Sequence, residues 1–265
     1  MKKTLLFYRR GGLGDTLLTF PLLEALKKQG FYIVAIGNTD YLKIAKTVGF
    51  VDECYSEGYP QVIQREFSKK VIFSKDGIPP FPKDRVWIVD YYFSILKLKK
   101  EFSQVLPLKP EEDSVLKEKA VIHAGSGSFK KIPDFSLFEK VESFLKSKGY
   151  EVIYLVGEAD EWIKDKVKNF WECFEPLKIA KHLKTAKLFV GLDSGISHLA
   201  CYLGIKSYVF FGPTDEVVWR PIGKDFKIIS LDLDCRPCFP KVCNNRKCLD
   251  VEELFKKFLK VFKET

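Results

Sequence analysis

Short apolar runs alternate with stretches whose apolar residues recur every three or four positions, along most of the chain. The runs predict strands at 4–8, 31–36, 86–89, 120–123, 152–156, 188–191 and 207–211. The stretches between them predict helices over 15–29, 42–48, 135–148, 158–170, 177–185 and 196–203. In the first helix Leu17, Leu18, Leu22, Leu23 and Leu26 share a face, and Pro21 must kink it or lie near its first turns. Residues 51–84 read as irregular, broken by Gly58-Tyr59-Pro60 and Pro79-Pro80-Phe81-Pro82. This order is that of βαβ units in an α/β protein. Residues 106–119 are polar with two prolines and read as a linker, after which the pattern restarts. That places two Rossmann-like domains at 1–108 and 109–265. In the tail, 251–263, Leu254, Phe255, Phe258, Leu259 and Phe262 share one face, with lysines elsewhere. Such a helix docks on the protein, and we expect it to pack back on the N-terminal domain; a membrane-surface helix is the alternative.

The composition allows a packed core in a chain of 265 residues: 46% are hydrophobic and 30% charged. The net charge of +9 favours anionic partners such as a nucleotide, a phosphorylated glycan, an anionic lipid or nucleic acid. The opening MKKTLLFYRRGGLGD does not read as a signal peptide, because Leu5–Tyr8 is short and two arginines and a glycine cluster follow. No apolar run reaches the ~18 residues of a membrane span, so a cytoplasmic enzyme is the expectation.

Three segments carry candidate chemistry. In Gly191-Leu192-Asp193-Ser194-Gly195-Ile196-Ser197-His198 a strand ends, a small-residue turn follows and a helix begins. Free amides and the helix dipole make such a turn an anion site, and an ordinary capped helix with a buried histidine is the equally weighted alternative. In His123-Ala124-Gly125-Ser126-Gly127-Ser128-Phe129-Lys130-Lys131 small residues and then lysines suit a phosphate-facing loop, although a solvated turn has the same composition. It has neither P-loop nor GxSxG spacing. In Arg9-Arg10-Gly11-Gly12-Leu13-Gly14-Asp15 the glycines allow a tight strand-to-helix turn. There Asp15 is either a helix cap or a carboxylate placed to take a proton from a hydroxyl.

These segments together resemble glycosyltransferase family 9, the ADP-heptose:lipopolysaccharide heptosyltransferases. The resemblance rests on Arg10 to Asp15 with Thr19 and Pro21, on Lys130 with Pro133, on Gly191 to Ala200, and on Phe211-Gly212-Pro213-Thr214-Asp215 with Trp219 and Pro221. A cysteine pattern common in that family also follows, and the matches keep the family's order along the chain. The resemblance implies a GT-B fold, two Rossmann-like domains facing a cleft, with acceptor on the first and donor on the second. It implies an inverting, metal-independent transfer of a sugar, heptose from ADP-heptose, to a lipopolysaccharide-core or related glycan. No cofactor is then required. Asp15 matches the general base, and Arg10, Gly11, Gly12 and Gly14 form the acceptor-side loop. Lys130 and Ser126 match donor-phosphate contacts; Asp193, Ser194, Gly195 and His198 match the donor segment. Glu158 and Phe174 match contacts to ribose and base. The implied partners are a nucleotide-sugar and an anionic glycan or glycolipid, with peripheral contact at the inner membrane surface and no nucleic acid. The acceptor half is short for the family, Ile132 replaces a usual aromatic residue, and no acceptor-side motif is evident between Val51 and Lys100.

Competing readings are a non-catalytic nucleotide-sugar binder and a basic nucleic-acid or zinc-binding module. Asp232-Leu233-Asp234 is a DxD, a weak signal for the metal–diphosphate motif of the other major glycosyltransferase fold. Cys235, Cys238, Cys243 and Cys248 have compact, irregular spacing; structural zinc, free thiols and disulfides are the alternatives.

Overall fold

The computed structural model describes residues 3–264 apart from 242 and 244, with the side chains of residues 60, 158 and 159 also outside the description. The chain divides into two compact units, Met1–Leu108 and Lys109–Thr265.

The first unit is built on four parallel strands in the order β3-β2-β1-β4: β1 (Thr4–Arg9), β2 (Tyr32–Ile36), β3 (Glu53–Tyr55) and β4 (Lys69–Phe73). β3 and β4 lie in the stretch read as irregular. Only Val71 and Phe73 of β4 are buried, so its sequence, KKVIF, lacks the apolar run that marks β1. The single helix expected over 15–29 is two, α1 (Leu13–Leu17) and α2 (Phe20–Lys28). Pro21 explains the break: it has no N–H to give to Leu17 and sits in the first turn of α2, where none is needed. After α3 (Thr39–Thr47) and the short α4 (Pro60–Ile63), the strand expected at 86–89 is the start of a helix, α5 (Ile88–Ile95). Its buried residues Ile88, Val89, Tyr92 and Phe93 fall on one helical face, a period that the β-like run at its beginning conceals.

The second unit has six parallel strands in the order β10-β9-β8-β5-β6-β7. They are β5 (Ala120–His123), β6 (Val152–Val156), β7 (Phe170–Glu172), β8 (Leu188–Leu192), β9 (Ser207–Phe211) and β10 (Phe226–Ser230). Helices α6 (Ser136–Ser147), α7 (Pro176–Leu183), α8 (Gly195–Tyr202) and the short α9 (Glu216–Trp219) connect them. The chain runs outward from β5 through β6 to β7, then returns to the other side of β5 with β8. That makes β5/β8 the switch point, where open α/β sheets leave a crevice beyond the strand ends. The helix expected over 158–170 is instead a 3-10 turn at Glu158–Ile163 followed by edge strand β7. Asp160 within that turn is buried, which directs the segment inward and ends the amphipathic pattern.

The tail is α10 (Val251–Lys263), capped by Asp250, whose carboxylate accepts the amide of Glu253 at 3.0 Å. Leu254 and Phe258 are fully buried in the core shared by β5, β6, β8, β9, β10 and α6. Its buried residues Leu254 and Phe258 are therefore spent within the second unit. Phe258 meets the rings of Phe144, Tyr208 and Phe210 at 5.5–6.0 Å between centroids.

Candidate functional site

In the first unit, β1 ends at Arg9 and the turn Arg10-Gly11-Gly12 leads into α1. Asp15 lies in the first turn of α1, and its Oδ2 accepts the amide of Gly12 at 3.1 Å. Its Oδ1 receives Arg9 Nη2 at 3.1 Å. Arg9 is buried, gives Nη1 to the carbonyl of Arg10 and lies 5.2 Å from the Phe81 ring centre. A Cβ on Gly11 would stand 2.6 Å from Asp15 Cβ, so glycine there is a condition of the carboxylate's placement. Asp15 is thus both a cap and an oriented, partly exposed carboxylate (29% side-chain exposure). Arg10 instead extends into solvent, 3.9 Å from Glu57. Burial pushes the Tyr92 hydroxyl up, so this group beside Arg9 stays neutral and donates to the carbonyl of Pro80.

In the second unit the two small-residue loops meet at the β5/β8 switch point. Ser126 Oγ donates to the Asp193 carbonyl at 2.9 Å. Lys131 Nζ gives one bond to Asp193 Oδ2 at 2.9 Å and another to the Asp193 carbonyl at 3.3 Å. His198, one turn into α8, places Nε2 3.9 Å from Asp193 Oδ1. Burial alone would raise the Asp193 carboxyl, but His198 and Lys131 outweigh it and hold it at about 2. Ser194 caps α8: its Oγ accepts the amide of Ser197, while Ser197 Oγ donates to the carbonyl of Leu192. The next amides, at Gly195 and Ile196, belong to the first turn and have no carbonyl within the helix to bond, which is the geometry that receives an anion.

The family resemblance assigns the phosphate contact to Lys130, and its neighbour also takes part in the site. Lys131 is the lysine that pairs with Asp193, and Lys130 Nζ donates to the carbonyl of Pro240 at 2.8 Å. Two further residues, to which the sequence alone assigns no role, join them: His123 at the end of β5 and Asp160 beyond β6. Their Nε2 and Oδ2 lie 2.7 Å apart and both are buried. Glu158's side chain lies outside the described residues, and Phe174, beyond β7, is exposed.

The cysteine segment reaches this site. Arg236 binds the carbonyls of Gly212, Leu231 and Thr214 and the carboxylate of Glu216. Phe239 lies 5.1 Å from Lys131 Nζ, and Arg246 donates to the carbonyl of Ile132. All four cysteines are free, with Cys235 exposed and Cys248 buried. Among the described residues no three His, Cys, Asp or Glu side chains are gathered to hold a metal ion. Asp232 and Asp234 of the DxD are both exposed.

Comparison with known proteins agrees with this architecture. The sequence profile described as glycosyltransferase family 9 (heptosyltransferase) matches residues 93–249. Lipooligosaccharide heptosyltransferase 2 of Campylobacter jejuni is 29% identical over 130 residues, 44% of this chain and 41% of that protein. The match thus spans about two-fifths of that relative's length. Among solved structures, a family 9 glycosyl transferase from Veillonella parvula superposes with a TM-score of 0.78 at 16% identity, over 100% of this chain and 98% of its own. The E. coli ADP-heptose lps heptosyltransferase II gives 0.76 at 12% identity, over 99% and 100%. The shared fold is GT-B, with two parallel-sheet α/β units. With the profile covering more than half of its residues, the chain belongs to glycosyltransferase family 9.

Proposed function

We propose that this chain transfers heptose from ADP-heptose to a lipopolysaccharide-core or related glycan, inverting the anomeric centre and using no metal. The observation that carries the reading is the buried constellation at the β5/β8 switch point. Ser126, Lys131, Asp193, Ser194 and His198 there frame the first amides of α8. The E. coli ADP-heptose lps heptosyltransferase II, which shares the fold, supports the choice of donor.

The proposed chemistry divides between the units. In the second, the amides of Gly195 and Ile196 receive the diphosphate, and the ammonium of Lys130 joins them by exchanging the Pro240 carbonyl for a phosphate oxygen. These preorganised donors offset the charge that grows as the bond from the anomeric carbon to the diphosphate oxygen breaks. The electron pair leaves with the diphosphate. The acceptor oxygen forms the new bond from the opposite side, and its proton passes to Asp15 of the first unit. Arg9 and the Gly12 amide hold the Asp15 carboxyl group aimed. The acceptor is an anionic glycan or glycolipid, which the net charge of +9 favours, and contact with an anionic membrane face follows from the same charge.

A transfer assay tests this reading, with ADP-heptose, UDP-sugars and GDP-sugars offered side by side. Turnover is expected with the ADP-sugar, unchanged by EDTA, with inversion read by NMR of the product. Asp15→Asn should lower turnover about a thousandfold, in the range of general-base catalysis, and leave ADP affinity unchanged. Survival of turnover in Asp15→Asn makes that residue a cap alone, and turnover abolished by EDTA overturns metal independence.

A further inference from the structure

Asp160 lies just beyond β6, His123 closes β5 and Ser194 lies just beyond β8, three adjacent strands, and these side chains form one hydrogen-bonded line across the carboxyl edge of the sheet. His123 Nε2 lies 2.7 Å from Asp160 Oδ2, and His123 Nδ1 lies 3.4 Å from Ser194 Oγ. All three residues are more than nine-tenths buried. Asp160 is built in: a Cβ on Gly125 would fall 1.5 Å from its Oδ1, so only glycine leaves it room. None of the family resemblances assigns a task to His123 or Asp160.

The chemistry of the line fixes its protons. An ionised carboxylate only accepts, so Nε2 of His123 carries a hydrogen and gives it to Asp160. In the neutral ring Nδ1 then holds a lone pair, and the hydroxyl of Ser194 is its donor. The Ser194 oxygen remains open to accept the amide of Ser197, which is the cap of α8. Ser197 Oγ has already given its proton to the carbonyl of Leu192. Every proton at the start of α8 is thereby assigned, and the amides of Gly195 and Ile196 are the ones left over.

We propose that Asp160 and His123 are positioning residues for the diphosphate cradle: Asp160 fixes the histidine tautomer, and His123 through that tautomer fixes the Ser194 hydroxyl and the first turn of α8. With the other tautomer, Nδ1–H would point at the Ser194 oxygen and compete with the amide of Ser197 for it. The cap would loosen, and the free amides would lose their aim. The structural half of this inference stands on the geometry alone; its consequence for binding rests on the donor reading given above.

The two halves are tested separately. The chain has three histidines, so long-range nitrogen–proton NMR of the whole protein resolves each ring, with His123→Gln to assign the signal. Wild-type His123 is expected as the neutral Nε2–H form. Asp160→Asn, a substitution of equal size, is expected to turn it to Nδ1–H, because a carboxamide can donate to Nε2. Calorimetric titration with ADP, and with UDP and GDP in parallel, then reads the cradle. Asp160→Asn and Ser194→Ala should each weaken ADP binding about tenfold, the scale on which outer-shell partners act. The double variant should bind no more weakly than Ser194→Ala alone, since both act through one hydroxyl. A wild-type His123 in the Nδ1–H form overturns the inference, and so do losses that add in the double variant. If wild type binds none of the three nucleotides, the donor reading falls while the NMR result still decides the tautomer.

Discussion

Asp193 lies between Lys131 and His198, and its charge determines how much positive potential the cradle keeps. Its carboxyl is held at about 2 in the folded chain, below the ordinary carboxylate range, because the contacts with His198 and Lys131 outweigh its burial. The stabilisation is therefore complete above about pH 4 and disappears as the pH falls toward the folded value. Urea midpoints between about pH 5 and 2 should drop for wild type, and Asp193→Asn should flatten part of that drop while starting from a lower midpoint at neutral pH. A parallel fall in both proteins would show that Asp193 is not the group responsible. Gly125 and Gly127, two residues apart in the same loop, provide a sharper contrast. A Cβ at Gly125 meets Asp160 at 1.5 Å, whereas nothing lies within 4 Å of one at Gly127. Gly125→Ala should cost about 1–3 kcal/mol by overpacking and weaken ADP binding, while Gly127→Ala should change stability by less than about 0.5 kcal/mol. Equal midpoints for the two variants in urea would contradict the placement of Asp160. Asp15, Asp193, Ser194 and His198 were legible as residues because small-residue turns after strands announce them. His123 and Asp160 were not, since a histidine closing a strand and an aspartate in a turn look ordinary until the sheet order brings their strands side by side.

Elements were legible where burial followed one period over a full length. α10 is the clearest case, with the helix observed over Val251–Lys263 as its pattern predicts. What the pattern could not supply was the surface it covers, because an amphipathic stripe states only that some apolar partner exists. Phe258 now identifies that partner as the second unit's own sheet and α6. Phe258→Ala should destabilise the protein by about 3–5 kcal/mol, as expected for removing a large ring from a closed core. Lys256→Ala, on the exposed face, serves as the control, and a loss below about 1 kcal/mol for Phe258→Ala would mean the helix is not docked there. The misread elements share a different cause. β4 carries two lysines and buries two side chains, α5 opens with a β-branched run, and β7 is a three-residue edge strand. In each the tertiary partner, β1, α2 or β6, decides a segment whose local preference is weak or opposite.

At the scale of the whole chain, all residues assigned to the donor fall within one unit. Ser126, Lys130, Lys131, Asp193, Ser194 and His198, with the supporting His123 and Asp160, lie within Lys109–Thr265. The matched profile, 93–249, also falls mostly there, and the first unit carries the shorter and less recognisable part of the resemblance. Because α10 completes the core of the second unit, that unit contains its own closing element. Residues 109–265 produced alone should therefore fold cooperatively and bind ADP within about threefold of the intact chain. They should show no transfer, because Asp15 is absent. Ligand linkage provides the measurement: ADP at about a hundred times its dissociation constant should stabilise the fragment and the whole chain alike, by about 2.7 kcal/mol. A fragment that folds but binds ADP more than about thirtyfold more weakly would show that the first unit contributes directly to the donor site, by about 2 kcal/mol. The division of labour proposed above, donor on one unit and proton acceptor on the other, would then have to be redrawn.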